Sequence, residues 1–351
     1  MKLGETPFNA SAHQKGFSLV EMMVGVAIGL IAVIVMFQVF AISEERKHTT
    51  TASGDAQNNA TIALDQIQRD ISRSGYGFTQ VRLLGCSLQL PSGATITLAP
   101  AVINSPAIPS GDANTDTLLI SFGTSDDQTD GYKIDNQSGS TYTITGTSML
   151  KKDDRVVVSP DLCGANVLAL GTVQSAAASV IKLSNSVTGS ALFNLGANPV
   201  FVAYAIRSGN LTVCNFMTHD CGNAAKIGDS DFWRPIAENV VSLRAEYGHD
   251  TNTPMDGIVD TFNQTTPDTS CKWAKASAIQ LVLTARSTKL EPNEVTENAP
   301  SWKKITDGSG TIASSNIDLS ADPNWKHYRY KVFQTVAPIR NVAWMGVETG
   351  C

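Results

Sequence analysis

The hydrophobic pattern is strongest near the start of the chain, where residues 22–42 form an almost unbroken apolar run. Gln38 is the only strongly polar residue in these 21 positions. Because about 20 consecutive apolar residues span the hydrocarbon core of a bilayer as a helix, the run predicts a single transmembrane helix. One acidic residue, Glu21, stands directly before it. A carboxylate at the end of a membrane-spanning helix is costly to bury, so its position indicates a functional role.

The helical pattern continues past the apolar run, but on one face only. Apolar residues recur at intervals of four or three, which predicts an amphipathic helix over residues 43–75. Poor helix formers at 49–51 and Gly54 predict a bend or frayed turn, and Gly75 is expected to cap the helix end. A continuous helix over 18–74 would be roughly 85 Å long at 1.5 Å per residue. The apolar positions are Ala56, Ala60, Leu64, Ile67 and Ile71, whereas Asp55, Arg69 and Arg73 fall away from them.

From about residue 79 the pattern changes to short β runs separated by turn residues. No helix-length periodic stretch separates most of them, so an antiparallel arrangement is favoured over a βαβ fold. The predicted class is therefore α+β, a long N-terminal helix packed on an antiparallel β-sheet head over residues 76–351. Two stretches rich in turn residues, 92–114 and 287–326, are expected to be surface insertions. The best strand candidates are 115–123, 141–146, 155–159, 200–207, 240–248, 277–286 and 327–339.

Charge and cysteine content indicate the surroundings of the head. The net charge is −6, so a general attraction to nucleic acid is not expected. All six cysteines follow the apolar run, and an even number on one side of a membrane indicates disulfides in an oxidising compartment. The basic residues flanking the span do not decide its orientation, so the cysteines place the head outside the cytoplasm. They are Cys86, Cys163, Cys214, Cys221, Cys271 and Cys351.

The short spacing between Cys214 and Cys221 makes them the favoured pair, although six cysteines allow fifteen connectivities. A loop of that size contributes roughly 2–3 kcal/mol in the chain-entropy description.

The residues ahead of the apolar run carry the most specific signal in the chain. The run is too long for a secretory signal peptide, and no small-residue cleavage site follows it. Lys15-Gly16-Phe17-Ser18-Leu19-Val20-Glu21 resembles the class III signal of type IV prepilins and type II secretion pseudopilins. The resemblance implies that a membrane prepilin peptidase cleaves after Gly16 and methylates the new N-terminus at Phe17. Residues 1–16 would then be a leader peptide, and residues 17–42 the transmembrane and fibre-core helix.

The implied cleavage explains the acid. A new α-amino group is positively charged near neutral pH, and it becomes buried when apolar helices pack into a fibre core. Breaking a buried ion pair by removing one partner costs about 3–5 kcal/mol. Glu21 lies one helical turn from Phe17, so we expect it to pair with that amine in its own subunit or in a neighbour. The alternative is an interfacial acid that stays among the lipid headgroups.

Two further features of the span concern helix packing. Gly25 and Gly29 have a small-xxx-small spacing that allows close helix approach, although this spacing is common in apolar runs rich in Gly, Ala and Val. Gln38 lies where many major pilins carry a helix-breaking proline. Local melting of this helix in the fibre is therefore a weaker expectation for this chain than for those pilins.

The C-terminal half extends the resemblance. Residues 236–260 and 330–341 are similar to the corresponding stretches of PilW-type minor pilins, whereas region 85–235 has no such likeness. The resemblance implies a non-catalytic structural subunit with a periplasmic head, held in the inner membrane and then placed in a pilus at or near its tip. It also implies as partners other minor pilins, the major pilin, the prepilin peptidase and the inner-membrane assembly platform. A J-type minor pseudopilin of type II secretion and a pilin-anchored adhesin or DNA-binding module are the alternatives.

Candidate ligand sites in the head are weaker. Asp250, Asn252, Asp256 and Asp260 supply oxygen ligands of the kind that calcium takes, but their spacing departs from an EF-hand loop and suits an ordinary polar turn. No cofactor is otherwise expected. His219 and Asp220 between two cysteines suggest zinc only if the thiols stay reduced. A basic and aromatic stretch over 325–331 allows contact with single-stranded DNA, although alternation along a strand is the more ordinary cause of this pattern. The sequence contains neither an HExxH motif nor a GxSxG motif nor a phosphate-cradling glycine loop, so catalysis finds little support.

Overall fold

The computed structural model describes residues 16–78, 80–127, 130–159, 167–305, 312–343 and 351, with side chains except at 41–42, 45–53 and 55. Its contacts divide the chain into two compact units, Met1–Thr51 and Ala52–Cys351. The described part of the first unit is helical from Leu19 onward. The second unit contains the remainder of that helix and a head composed mainly of β-strands.

Helix α1 extends over Leu19–Arg73 without interruption, so the frayed turn expected at residues 49–54 is not present in its backbone. The predicted cap is confirmed, because Gly75 has a φ of 82°, a conformation that glycine adopts at little cost. The last turn is also closed by Ser74, whose hydroxyl donates to the carbonyl oxygen of Ile71 at 2.7 Å. The helix therefore ends where the sequence indicates.

The second half of α1 contributes one face to the core of the head. Ala56, Ala60, Ile67 and Ile71 are at most 3% exposed, and Leu64 is partly buried against the same core. These residues repeat at intervals of four or three, so they form one stripe along the helix. The predicted amphipathic face is thus confirmed for the helix from Ala56 to Ile71.

Two antiparallel sheets share this core. The first has the order β13-β12-β11-β4-β3 and the second the order β15-β14-β16-β19. The strands of the first are β3 (Ala101–Ile103), β4 (Leu118–Phe122), β11 (Val200–Arg207), β12 (Asn210–Asn215) and β13 (Arg234–Ala237). Those of the second are β14 (Val240–His249), β15 (Thr261–Asn263), β16 (Ala276–Arg286) and β19 (Tyr330–Pro338).

A β-barrel is inserted between β4 and β11. Its strands close a ring in the order β8-β7-β10-β5-β6-β9, since β9 pairs with both β6 and β8. Its interior contains a separate apolar cluster around Tyr142, Val156 and Leu192. Strand β1 pairs with β8 in parallel, and β2 pairs with β1. The barrel strands are β5 (Tyr132–Ser138), β6 (Thr141–Ile144), β7 (Arg155–Ser159), β8 (Leu168–Ala177), β9 (Val180–Leu183) and β10 (Ala191–Gly196). The two strands that extend the sheet from β8 are β1 (Cys86–Gln89) and β2 (Thr95–Leu98).

A β-hairpin lies against the second sheet through Trp302, which packs with Val282 of β16 and Ile317 in a small apolar cluster. Polar contacts add to this packing. The side-chain amide of Gln280 donates to the carbonyl oxygen of Lys303 at 2.7 Å. The hairpin strands are β17 (Ser301–Ile305) and β18 (Ile312–Asn316), and the short helices are α2 (Ser270–Ala274) and α3 (Arg340–Ala343). Three-residue 3-10 turns occur at Val81–Leu83, Ala224–Lys226 and Trp325–His327.

The seven predicted strands are all present, but the expected surface insertions are only partly correct. The stretch 92–114 contains β2 and β3, and its residues Leu98, Val102 and Ile103 are buried in the core. The prediction of an insertion there was wrong, because short strands of three or four residues leave too few positions for an alternating pattern. The stretch 287–326 contains the β17–β18 hairpin.

Candidate processing and assembly site

The processing motif stands at the start of the described chain. Phe17 is 85% exposed, and no atom lies within 4 Å of a Cβ built on Gly16. The carbonyl oxygen of Ser18 accepts the first helical hydrogen bond, from the N–H of Met22 at 3.1 Å. The Gly16–Phe17 bond therefore lies just outside the helix and is open on all sides within the described chain. The leader residues before Gly16 lie outside the described residues.

Glu21 has a local partner that the sequence interpretation did not include. The backbone N–H of Ser18 donates to Oε2 of Glu21 at 3.3 Å. A glutamate three residues after an N-cap serine that reaches back in this way is half of a capping box. The Ser-x-x-Glu spacing was the signal for it. In the uncut chain the nitrogen of Phe17 is a peptide nitrogen, so the expected ion pair with Glu21 can form only after cleavage.

The apolar part of α1 is exposed along its whole length. Each large apolar side chain from Phe17 to Phe40 is at least 48% exposed. Among the described residues, Leu19–Phe40 is the one helical segment long and apolar enough to cross a membrane, with a mean hydropathy of 2.6. An apolar surface of this size requires lipid or another protein to cover it.

Gly25 and Gly29 lie one turn apart on the same side of this segment. A Cβ built on either glycine would meet no atom within 4 Å. Neither glycine is therefore needed for packing within the described chain. Both remain available for close approach by another helix.

The end of α1 is joined to the head by polar side chains as well as by the apolar stripe. The hydroxyl of Tyr204 on β11 donates to Oδ2 of Asp70 at 2.5 Å, and Asn341 donates to the carbonyl oxygens of Arg73 and Ser74 at 3.0 and 2.9 Å. Burial raises the pKa of Asp70, which the hydrogen bond from Tyr204 partly opposes. Burial and the neighbouring Asp70 carboxylate raise the pKa of Tyr204, so its hydroxyl keeps its proton and remains a donor.

Two disulfides join described residues of the head. Cys214 is bonded to Cys221, the pair favoured by the sequence, and Cys271 is bonded to Cys351. Cys86 is disulfide-bonded as well, and Cys163 lies outside the described residues. The Cys271–Cys351 bond ties Cys351 to α2, whose buried Trp273 packs edge-on against Tyr247 of β14.

The candidate calcium residues use their oxygens within one turn. Asp250 is buried, and its carboxylate accepts the backbone N–H groups of Asn252, Asp256 and Gly257 at 2.7–2.9 Å. The carboxylate of Asp260 accepts another backbone N–H at 2.7 Å. Among the described residues, no group of three or more acidic, histidine or cysteine side chains is placed to hold a metal ion. A hydrogen-bonded turn accounts for all these contacts.

The two remaining candidates also have structural explanations. The thiols that zinc would need beside His219 are consumed by the Cys214–Cys221 bond, and His219 packs against the ring of Phe232. In the basic and aromatic stretch, Lys326 pairs with Glu294 at 3.3 Å and Arg329 with Glu291 at 3.6 Å. These cations are therefore partly neutralised by neighbouring acids.

These features together fit a membrane-anchored pilin. They are an accessible Gly-Phe motif, an exposed apolar helix that directly follows it and a β-rich head. The N-terminal segment matches the family model of the prokaryotic N-terminal methylation motif over residues 11–37. Residues 203–341 match the family model of the type IV pilus-assembly protein W. Together the two matches support a PilW-type pilin, which is a type IV pilus-related minor pilin or assembly protein. No curated protein and no solved structure matches the chain.

The PilW match has a structural meaning. It begins within β11 and continues to α3, so it covers the second sheet and three strands of the first. Both stretches whose sequence resembles this family, 236–260 and 330–341, fall inside it. The inserted barrel, which ends at Gly196, precedes the matched region.

Proposed function

We propose that this chain is a minor pilin that takes part in priming type IV pilus assembly and is incorporated at or near the fibre tip. It would be stored in the inner membrane with its head in the periplasm until the assembly platform extracts it. The single observation that carries the proposal is the order of features at the N-terminus. The Gly16–Phe17 bond lies directly ahead of a 22-residue exposed apolar helix, so cleavage there releases the amine at the end of that helix.

The proposed assembly step depends on charge. In the bilayer the Phe17 amine and Glu21 sit at the polar boundary, where water and headgroups solvate them. When the helix moves into a fibre of packed helices, both charges leave that solvent, and burying either one alone is costly. Pairing the amine with Glu21, in the same or a neighbouring subunit, offsets part of this cost and avoids leaving either charge unpaired. The open faces at Gly25 and Gly29 allow neighbouring helices to approach.

The head would supply the contacts with other minor pilins and with the major pilin. Its disulfides suit the oxidising periplasm. The family match includes the second sheet, so we assign contacts common to this family to that sheet. We regard the head as a pilin head with a barrel inserted into it, and its role as structural rather than catalytic.

Mass spectrometry of the protein extracted from membranes tests the processing step. We expect a polypeptide that begins at Phe17 and carries an N-methyl group, with disulfides retained. Gly16→Leu should keep the leader, whereas Glu21→Ala should still be cleaved because it leaves the cleavage junction intact. Recovery of native protein that retains Met1 in cells with an active prepilin peptidase would contradict the proposal.

Gene deletion separates a pilus subunit from a subunit of type II secretion. We expect loss of surface pili with normal export of secreted proteins. The reverse result would assign the chain to the secretion system as a J-type minor pseudopilin. Deletion strains complemented with the Gly16→Leu variant provide the matched control, since this variant keeps the head but blocks its release into a fibre.

A further inference from the structure

A polar groove lies on the second sheet, on the side that carries the β17–β18 hairpin. Two cavities of about 330 and 390 Å³ adjoin there. Asp318 lines both, and consecutive residues of the loop 112–114 border one cavity and then the other. Each cavity is as large as the smaller ligand sites in proteins, and together they are well within that range.

The groove is lined by polar side chains from rigid strands. Arg244 and Glu246 are alternate residues of β14, so they project from the same face, and Lys304 of β17 closes the cavity above them. In the adjoining cavity Arg286 of β16 faces Tyr330 of β19. Amide side chains complete the lining of the larger cavity at Asn114, Gln264 and Asn316.

The charges of the lining nearly cancel. Lys304 pairs with Glu246 at 2.5 Å, and Arg286 pairs with Asp322 at 2.8 Å. Arg244 is held at 3.2 Å by Asp116, a buried carboxylate behind the groove. Since the cations already have acidic partners, an anionic ligand would have to break an existing ion pair. The lining therefore disfavours anions, and its polar side chains suit a ligand with many hydrogen-bonding groups.

Two lining residues carry buried polar atoms without a hydrogen-bond partner in the described part of the chain. One is an acceptor, Oε2 of Glu246, whose side chain is only 6% exposed. The other is a donor, Nε of Arg286. An unmet buried hydrogen-bonding group is unusual and costly. Hydroxyl groups both donate and accept, so a ligand rich in hydroxyls complements a lining that contains the Glu246 carboxylate and the Arg286 guanidinium.

Aromatic residues complete the chemistry. Tyr330 lines the smaller cavity and is half-buried. Trp302 borders the larger cavity but is only 5% exposed, because it packs on Val282 and Ile317. The guanidinium of Arg286 also lies over the ring of Tyr328 at 4.4 Å, which holds it in place. Aromatic side chains combine an apolar surface with a polar edge, and sugar rings present apolar C–H faces beside their hydroxyls.

From these observations we propose that the groove binds a neutral oligosaccharide, with ring hydroxyls directed to Glu246 and Arg286 and a sugar face packed on Tyr330. The proposal goes beyond the pilin assignment and does not rest on it. A cleaved and assembled subunit without sugar binding would refute the site and leave the assignment intact. A protein that binds sugar but keeps its leader would refute the pilin assignment and leave the sugar site intact.

The test uses the full-length chain in phospholipid nanodiscs, because sugar-headed detergents would compete. It is applied to an array of neutral oligosaccharides, acidic oligosaccharides and lysine-rich peptides. We expect binding to one or more neutral oligosaccharides. Binding should fall at least tenfold in Arg286→Met and in Asn316→Trp, where an exposed lining residue is enlarged to fill the cavity without disturbing the core. Lys272→Met, which removes an exposed cation outside the groove, should bind as the original chain does.

Three results would overturn the proposal. One is binding to no neutral oligosaccharide on the array. Another is preference for acidic oligosaccharides or lysine-rich peptides, which would show that charge rather than hydroxyl content is recognised. The third is unchanged neutral-sugar binding in Asn316→Trp when its thermal unfolding matches that of the original chain.

Discussion

The hydroxyl of Tyr204 donates a hydrogen bond of 2.5 Å to the carboxylate of Asp70. This bond joins the last turns of α1 to a central strand of the first sheet. It connects residues 134 positions apart, so it forms only when the head has folded around the helix. Within the second unit, the contact ties the end of the long helix to the body of the head.

Removing this donor should destabilise the head. Tyr204 is fully buried, and Tyr204→Phe leaves the partly buried Asp70 carboxylate without its hydroxyl partner. We expect a loss of about 1–3 kcal/mol in the free energy of unfolding, measured by urea denaturation of the full-length chain in detergent. Asp65→Asn on the same helix is the control. It removes an ion pair with Arg69 in which both side chains are more than half exposed, so its effect should stay below about 1 kcal/mol.

The pH dependence of stability should contain a contribution from Asp70. Because burial raises its pKa in the folded protein above the usual value of 3.8, the folded state binds a proton more readily than the unfolded state. The stability that Asp70 contributes is therefore fully present below about pH 3.8 and is lost as the pH rises through the raised pKa. In Asp70→Asn this loss should disappear, so the melting temperature should decline less between pH 4 and 7. A steeper decline in the variant would contradict the assignment.

The Cys271–Cys351 and Cys214–Cys221 disulfides should differ in their contribution to stability. Cys271 and Cys351 are 80 residues apart, and Cys214 and Cys221 only seven. In the chain-entropy description the longer loop is worth about 4.5 kcal/mol and the shorter about 2.4 kcal/mol. Replacing each pair by serine should therefore lower the midpoint of urea unfolding more for the first pair. Equal effects would show that loop length does not govern the stabilisation.

Substitutions at Glu21 can separate its two roles. Glutamine keeps an oxygen that can accept from the Ser18 N–H, so it preserves the capping box but removes the charge. Alanine removes both. If the carboxylate neutralises the new amine, Glu21→Gln and Glu21→Ala should be cleaved normally and assemble equally poorly, as scored by the subunit content of sheared pili. Normal assembly of the glutamine variant would instead assign Glu21 to helix capping alone.

Much of the fold was predictable because its signals are local. The apolar stripe from Ala56 to Ile71, the glycine cap at Gly75 and the strand β7 over Arg155–Ser159 all follow from periodicity or turn chemistry within a few residues. The short spacing of Cys214 and Cys221 similarly pointed to their pairing. The capping contact of Glu21 was also predictable, because the Ser-x-x-Glu spacing that signals it lies within four residues.

Other features depend on contacts that no local pattern encodes. Strands β4 and β11 pair antiparallel, with Ser121 opposite Phe201, yet the whole barrel lies between them in the sequence. Closure of that barrel depends on β9 pairing with two partners at once. The short strands β2 and β3 are placed by burial of Leu98 and Val102, which the alternation of three or four residues cannot reveal.

The sequence by itself determined that this chain has an N-terminal processing motif, an apolar helix of membrane-spanning length and a β-rich head with cysteines. Each of these features is encoded by residues close together in the sequence, so it can be predicted without knowing the rest of the fold. Only the tertiary structure decided that a closed barrel interrupts the first sheet, and that Glu246 and Arg286 meet in one groove. Those relationships arise from burial and pairing between distant strands, and the energies that select them exist only once the core is assembled.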